Sequence, residues 1–277
     1  MNTAGVRATR FLVAKHGHRD DECEDALCVL ADTAGVVAAV SDGASESLLA
    51  RAWAGLLADA AARDTLRDPA VVADRGAFAR FTEGAVAEWS VVVDKYVADR
   101  AERGRPVQWY EQPGLAKGAF ATLLAVRADA GPDPRDGRRW SAAALGDSCL
   151  FHIRDRALIG SFPVDAAEDF DSSPELLCSR GTDTALIAER VRFAAGTALP
   201  GDRLLLATDA LAAWLLGADA ATVTAWLRVV ETYENEDENE DEDSAGAFAR
   251  LIGNERATGA LRNDDVALVV LHFAEPP

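Results

Sequence analysis

Residues 24–43 read EDALCVLADTAGVVAAVSDG, and the order of residue types in this stretch decides how the chain begins to fold. Two apolar runs, Ala26–Leu30 and Val36–Val40, are too short for helices and are bounded by polar and turn-forming residues, so each reads as a strand. Val36–Val40 lacks alternation, the mark of a strand buried on both faces. The connection Ala31–Gly35 is short enough only for an antiparallel hairpin. In a hairpin the start of the first strand lies beside the end of the second. Glu24 and Asp25 precede the first strand and Asp42 follows the second, so three carboxylates meet at one sheet edge.

The arrangement recurs near the other end of the chain. Asp209 follows the apolar strand Leu204–Thr208, and Asp264 and Asp265 precede the strand Val266–Phe273. If these two strands pair antiparallel, their acids also meet. Asp147 sits in the turn Gly146-Asp147-Ser148, between strands at Trp140–Leu145 and Cys149–Arg154. Singly, each acid has an ordinary use: Asp42-Gly43 suits a turn, Asp209 a helix N-cap, and Asp147 its own turn. Jointly, gathered carboxylates repel and raise one another's pKa unless a cation joins them. Hard divalent ions, Mn²⁺ or Mg²⁺, take such oxygen ligands, and no well-placed His or Cys set points to zinc. A two-metal site of this kind positions and activates water for attack on phosphorus.

The rest of the pattern supplies the cover for these strands. Ser45–Arg63 carries a helical stripe of Leu48, Leu49, Ala52, Trp53, Leu56, Leu57 and Ala60, and Ala73–Arg100 carries Phe78, Phe81, Ala85, Trp89, Val92 and Tyr96. Their spacing marks core faces rather than a cofactor box. Further strands fall at Arg10–Ala14, Ala119–Arg127 and Arg192–Ala195, and shorter helices at Ala210–Leu216, Ala220–Val230 and Ala245–Ala257. The order predicts an α+β protein whose sheets are covered by helices. No repeat or linker divides it, so residues 1–277 read as one domain. Within it, residues 231–243, ETYENEDENEDED, hold nine carboxylates and no basic residue, and read as a solvated, disordered acidic insertion.

Composition excludes several functions. The chain has 277 residues, 49% hydrophobic and 27% charged, an ordinary globular balance. Its net charge of −18 argues against a nucleic-acid partner and against an anionic membrane surface. No apolar run reaches the roughly 20 residues of a membrane span, and the first residues turn polar too early for a signal-peptide core. The four cysteines, Cys23, Cys28, Cys149 and Cys178, form no CxxC pair, which suits a reduced, cytoplasmic protein.

With these residues in place, the chain resembles the metal-dependent protein phosphatases of the 2C type, in their bacterial-like branch. The matches run in order along nearly the whole chain: Cys23-Glu24-Asp25-Ala26, Val40-Ser41-Asp42-Gly43, Gly118-Ala119-Phe120-Ala121-Thr122, Gly146-Asp147-Ser148, Leu205-Leu206-Ala207-Thr208-Asp209-Ala210-Leu211 and Asn263-Asp264-Asp265-Val266-Ala267-Leu268. The resemblance implies an αββα sandwich, two central antiparallel β-sheets flanked by helix pairs. It implies two Mn²⁺ or Mg²⁺ ions, with Asp42 bridging them, the Gly43 carbonyl on one, and Asp209 and Asp264 on the other. Glu24 would act through metal-bound water beside Asp25, and Asp147 with Asp209 would offer a weaker third site. Catalysis would fall to Asp42, Glu24 and Asp25, with in-line attack by a metal-bridging water and no covalent phosphoenzyme.

Some positions depart from the family pattern. The phosphate-binding Arg usual five residues before the acid matching Asp25 is Asp20 here; Arg19, one residue further away, is the candidate for that role. Asp265 stands for the usual Asn, Ala210 for Gly and Cys149 for a frequent Arg. His16 and His18 read as solvated loop residues or as metal or acid–base groups, and Ala166–Leu186 as resembling the family's mobile flap or as a plain connecting loop. The resulting expectation is a phosphatase acting on phosphoserine or phosphothreonine in proteins and opposing a Ser/Thr kinase. Its rivals are an inactive 2C-like domain that binds a phosphoprotein or regulatory partner, and a phosphatase of a small metabolite.

Overall fold

The hairpin at residues 26–41 forms as its sequence requires. In a computed structural model describing residues 2–3, 5–131, 136–170, 174–181, 183–234 and 241–274, β1 (Asn2–Thr3) and β2 (Val6–Val13) precede β3 (Ala26–Asp32) and β4 (Gly35–Ser41). Asp32 pairs with Gly35 and Ala26 with Ser41, which leaves Asp25 and Asp42 side by side just beyond the ladder. The Asp32 carboxylate accepts from the Ala34 amide at 2.7 Å and closes the turn.

The chain continues through α1 (Ala50–Arg67), α2 (Arg75–Glu102), α3 (Gln112–Lys117), β5 (Phe120–Ala121), β6 (Leu123–Asp129), β7 (Arg138–Leu145), β8 (Cys149–Arg154), β9 (Ala157–Phe162) and β10 (Leu177–Cys178). It ends with α4 (Thr184–Arg190), β11 (Arg192–Ala198), β12 (Arg203–Ala207), α5 (Asp209–Gly217), α6 (Ala220–Glu234), α7 (Asp241–Ala257) and β13 (Val266–Phe273). One sheet has the order β11-β7-β6-β4-β3 and the other β1-β2-β13-β12-β8-β9, all pairs antiparallel.

Side-chain alternation builds four layers from these elements. On β4, Val37 and Ala39 pack against Trp53 and Leu57 of α1 and Phe78 of α2. The alternate residues Val36, Ala38 and Val40 meet Leu204 and Leu206 of β12 and Val269 and Leu271 of β13 between the sheets. The outer face of the second sheet, with Leu205, Leu268 and Val270, packs on Trp214 of α5, Trp226 of α6 and Phe248 of α7. Fully burying an aromatic or leucine side chain is worth about 2–3 kcal/mol, so these three cores hold the layers in register. The architecture is the αββα sandwich expected from the sequence.

Several boundaries differ, each for a local reason. α1 begins at Ala50 rather than Ser45, because the hydroxyls upstream are engaged elsewhere: Ser47 Oγ accepts from the Phe120 amide at 3.1 Å and Ser45 donates to Glu24. The run Ala119–Arg127 is broken at Thr122, so it yields β5 and β6 instead of one strand. β2 starts at Val6, earlier than Arg10, since it pairs with all of β13. The segment Ala166–Leu186 is more structured than a plain loop: β10 pairs with β5, and the Trp53 indole donates to the Leu177 carbonyl at 2.9 Å.

The acidic run 231–243 lies partly within helices. Residues 231–234 belong to α6 and 241–243 to α7, while 235–240 lie outside the described residues. Glu231 ion-pairs with Arg156 and Arg203, at 2.8 and 3.2 Å, and the Tyr233 ring meets Phe11 edge-on at 6.3 Å. Glu231 thus has basic partners across the fold that lie far away in sequence.

Candidate metal and phosphate site

The two sheet edges that carry the acids face the same end of the sandwich. β12 and β13 pair through Ala207 and Leu268, so Thr208 and Ala267 follow on as the last coupled positions. The Thr208 amide donates to the Ala267 carbonyl at 3.2 Å, and the Ala267 amide donates to Thr208 Oγ1 at 2.9 Å. The Thr208 hydroxyl in turn donates to Asp25 Oδ2 at 2.7 Å, tying the edge of one sheet to the edge of the other. Asp25 is only 5% exposed.

Asp42 is held from β5 and β6. Its amide donates to Thr122 Oγ1 at 3.1 Å and its carbonyl accepts from the Thr122 amide at 2.9 Å. Thr122 Oγ1 also shares a 2.8 Å hydrogen bond with Ser148, beside Asp147 in the crossover from β7 to β8. Gly43 is required by space: a Cβ there would lie 2.7 Å from the Glu24 carbonyl oxygen and 3.0 Å from the Ala50 backbone.

Charge effects show that the acids share one field. Asp42 is pushed well above the usual carboxylate range, by desolvation and then by Asp209, Asp147 and Asp264, with Arg262 opposing. Asp25 is pushed up by its burial and by Asp42, against the Thr208 hydrogen bond. Asp209 is also raised, through burial, although Arg262 pulls the other way. Of the sequence-predicted residues, Asp25, Asp42, Asp147, Asp209 and Asp264 are therefore brought within electrostatic reach of one another.

Two cations stand among these acids. Arg262 donates from Nη2 to Asp209 Oδ2, and its Nε lies 3.6 Å from Asp264 Oδ2. Lys15 Nζ lies 3.2 Å from Glu24 Oε2 and 3.2 Å from Ser45 Oγ. Arg19 pairs within its own loop: its side chain is 73% exposed and ion-paired with Asp21 at 3.0 Å and Glu22 at 3.7 Å. His16 and His18 are exposed, and His16 meets the site only through its amide, which donates to Asn263 Oδ1 at 2.7 Å.

The residues missed in the sequence are those that support the loops. Asp265, 4% exposed, accepts the Lys15 amide at 2.7 Å and the Glu24 amide at 2.8 Å. Arg256 of α7 donates to the Ala14 carbonyl at 2.9 Å and also to the Asp264 carbonyl. The signal for cations was present: so many converging acids need positive charge, and Lys15 and Arg262 flank the acidic motifs directly.

The donor chemistry fits a hard divalent cation, because it is all oxygen and Asp25, Asp42 and Asp209 are raised by burial and then by neighbouring carboxylates, a cost that a cation relieves. The side chains are held by Arg262 and Lys15, and among the described residues no three His, Cys, Asp or Glu side chains are grouped to hold one ion.

No family model and no curated protein matches this chain. Solved structures do match. The photosystem II phosphatase PBCP is 16% identical, with a TM-score of 0.57, over 97% of this chain and 98% of that one. The catalytic domain of the serine/threonine protein phosphatase PstP, in complex with two manganese ions, is 17% identical, with a TM-score of 0.56, over 98% and 99%. PppA, described as a key regulatory component of T6SS in Pseudomonas aeruginosa, is 18% identical, with a TM-score of 0.53, over 96% and 97%. The chain thus has the 2C-type phosphatase fold over its full length. Among the described residues, no helix is long and apolar enough to cross a membrane.

Proposed function

We propose that this protein is a Mn²⁺- or Mg²⁺-dependent phosphatase acting on phosphoserine or phosphothreonine in proteins, in the cytoplasm, opposing a Ser/Thr kinase. One observation carries the reading: acids from both sheets, Asp25 and Asp42 on one side and Asp209 and Asp264 on the other, converge at a single end of a 2C-type sandwich, where burial and neighbouring carboxylates hold Asp25, Asp42 and Asp209 above the usual carboxylate range. Asp42, the Gly43 carbonyl, Asp209, Asp264 and Glu24 would hold two ions, and Asp147 would contribute to a third. Such ions, when bound, neutralise phosphate charge and activate water for in-line attack on phosphorus.

The protein's own groups set the stage for that chemistry. Thr208 fixes one oxygen of Asp25 and so orients the other. Thr122 and Ser148 fix the backbone that carries Asp42. Asp265 clamps the amides of Lys15 and Glu24, which sets the loop position of the Glu24 carboxylate. Such support keeps a site within the sub-ångström tolerance that catalysis demands.

The test is hydrolysis of an aryl phosphate and of a phosphothreonine peptide, with Mn²⁺ and with chelator. Mn²⁺-dependent turnover of both supports the reading, and no turnover in any metal removes it. A second reading, a 2C-like domain that binds a phosphoprotein without hydrolysing it, is favoured by the Arg262 and Lys15 ion pairs on the would-be ligands. It predicts peptide binding without turnover.

A further inference from the structure

We propose that a groove running from the acid cluster along α5 takes a lysine or arginine side chain that flanks the phosphoresidue of the substrate. The proposal rests on the phosphatase reading and adds a substrate class to it, phosphorylated segments with a nearby basic residue. The groove has a volume of about 480 Å³, and Ala210, Ala213, Trp214, Asp219, Glu255 and Arg262 are among the residues that line it.

Its two walls are the elements that deliver the acids of the second sheet. One wall is α5, whose first residue is Asp209. The other is the turn after α7, where the Glu255 carbonyl accepts the Ala260 and Leu261 amides, both at 3.1 Å. That turn leads through Arg262 to Asp264, and Arg256 anchors it by donating to the Ala14 and Asp264 carbonyls. Arg262 bounds the end of the groove nearest the cluster, paired with Asp209 and 3.6 Å from Asp264. A polypeptide whose phosphoresidue lies at the acids therefore meets the groove next. With nine residues, α5 is about 13 Å long, the span of about four residues of extended chain.

The lining selects what enters. Ala210 and Ala213, one helical turn apart, and Trp214 give an apolar floor. Trp214 is 7% exposed and packs on Trp226 with ring centroids 5.7 Å apart, so the floor is held in place. The acids stand at the rim. Asp219 is committed to the amides of Ala221 and Thr222, both at 2.9 Å. Glu255 is not: its carbonyl accepts from the Thr258 hydroxyl at 2.9 Å, whereas its carboxylate enters no hydrogen bond or ion pair among the described residues. An apolar floor with carboxylates at its rim matches the methylene stem and charged head of lysine or arginine. An acidic side chain is repelled there, and a wholly apolar one would strip water from Glu255 without replacing it.

The experiment uses the full chain with Mn²⁺ and phosphothreonine peptides of alanine background, with one arginine placed in turn at each of the four positions on either side. Wild type should favour arginine over alanine about fivefold in kcat/KM at one or two positions, the effect of one partly exposed ion pair. The gain should lie in KM with kcat unchanged, because the contact is the same in the ground and transition states. Glu255→Gln should bring the preference within twofold, and Glu255→Lys should reverse it, while aryl phosphate turnover stays unchanged in both. The net charge of −18 also attracts basic peptides, so Glu83→Lys, the same charge change on exposed α2 in the opposite helical layer, serves as control and should keep the preference. Equal KM for all peptides in wild type, a preference that survives Glu255→Lys, or one that Glu83→Lys removes equally, overturns the proposal. If wild type hydrolyses no aryl phosphate, the phosphatase reading fails separately, and calorimetric binding of the same peptides then decides the groove: affinity independent of the arginine or of Glu255 overturns it too.

Discussion

Replacing Asp42 by Asn should make the metal-free protein more stable and abolish the proposed hydrolysis. The side chain keeps its shape and loses its charge. In the folded chain, desolvation and the charges of Asp209, Asp147 and Asp264 hold the Asp42 carboxyl well above its ordinary value. A carboxyl raised on folding binds its proton more tightly in the native state, so ionisation costs stability as pH rises past the unfolded value near 4. The penalty grows until the folded pKa is passed and then stays constant. Fully buried groups shift by up to about 3–5 units, at about 1.4 kcal/mol per unit. Asp42 is partly open to solvent and faces Arg262, which argues for a smaller figure of about 2 kcal/mol. In a chain of this size that corresponds to a rise in Tm of about 5 °C. Thermal scans in chelator should show the rise at pH 8 and little of it at pH 4, where wild-type Asp42 is already neutral. Hydrolysis with Mn²⁺ should fall about 10³-fold or more, since charge neutralisation and water activation are lost together. A destabilised variant, or a gain equal at both pH values, would refute the picture of a mutually repelling cluster.

Asp209→Ala and Asp264→Ala should each remove most Mn²⁺-dependent turnover, and the double variant should be little worse than either alone, because both serve one position; multiplicative losses in kcat/KM would assign them to separate sites. Gly43→Ala should cost about 1–3 kcal/mol in denaturant unfolding, since its Cβ would meet backbone atoms that cannot turn aside. His272 is pushed down to about 4 by desolvation and by Arg203 and Arg7. Its folded pKa lies below the unfolded value near 6.5, so stability is full above that value and is lost as pH falls toward 4, by about 1–3 kcal/mol. His272→Gln should flatten that part of the stability–pH curve. Tyr233→Ala should lose about 2–3 kcal/mol through its contact with Phe11; an unchanged Tm would return residue 233 to a solvated insertion.

What could be read from the sequence was local pattern and its direct consequences. The run Val36–Val40 and the short connection before it determined a hairpin, and the hairpin determined that Asp25 and Asp42 are neighbours. The pairing of β12 with β13, and hence the approach of Asp209 to Asp264, was only a condition in the sequence, because three helices lie between the two strands, and the structure supplies it. The partners that lie far apart in the chain were not legible. Thr208 holding Asp25 spans 183 residues and Asp265 holding Glu24 spans 241, and neither threonine nor a second aspartate carries a pattern that predicts such a bond. Arg19 was chosen by spacing to a motif, and spacing does not show its pairs with Asp21 and Glu22. The acidic run from 231 was judged by its composition, and composition does not show that Arg156 and Arg203 wait across the fold for Glu231.

The central place of β13 has a consequence for how the protein is made. This strand lies between β2 and β12, pairing with β2 along its whole length and with β12 over Leu268–His272. During synthesis every other strand of that sheet leaves the ribosome first, and two of them wait with open, apolar edges that invite pairing with other chains. The sheet closes only when Val266–Phe273 emerges, and Asp264 and Asp265 arrive immediately ahead of it. A nascent chain or truncated product ending before residue 264 therefore has neither a finished core nor a complete acid cluster. The core and the acid cluster are therefore completed in the same step of synthesis.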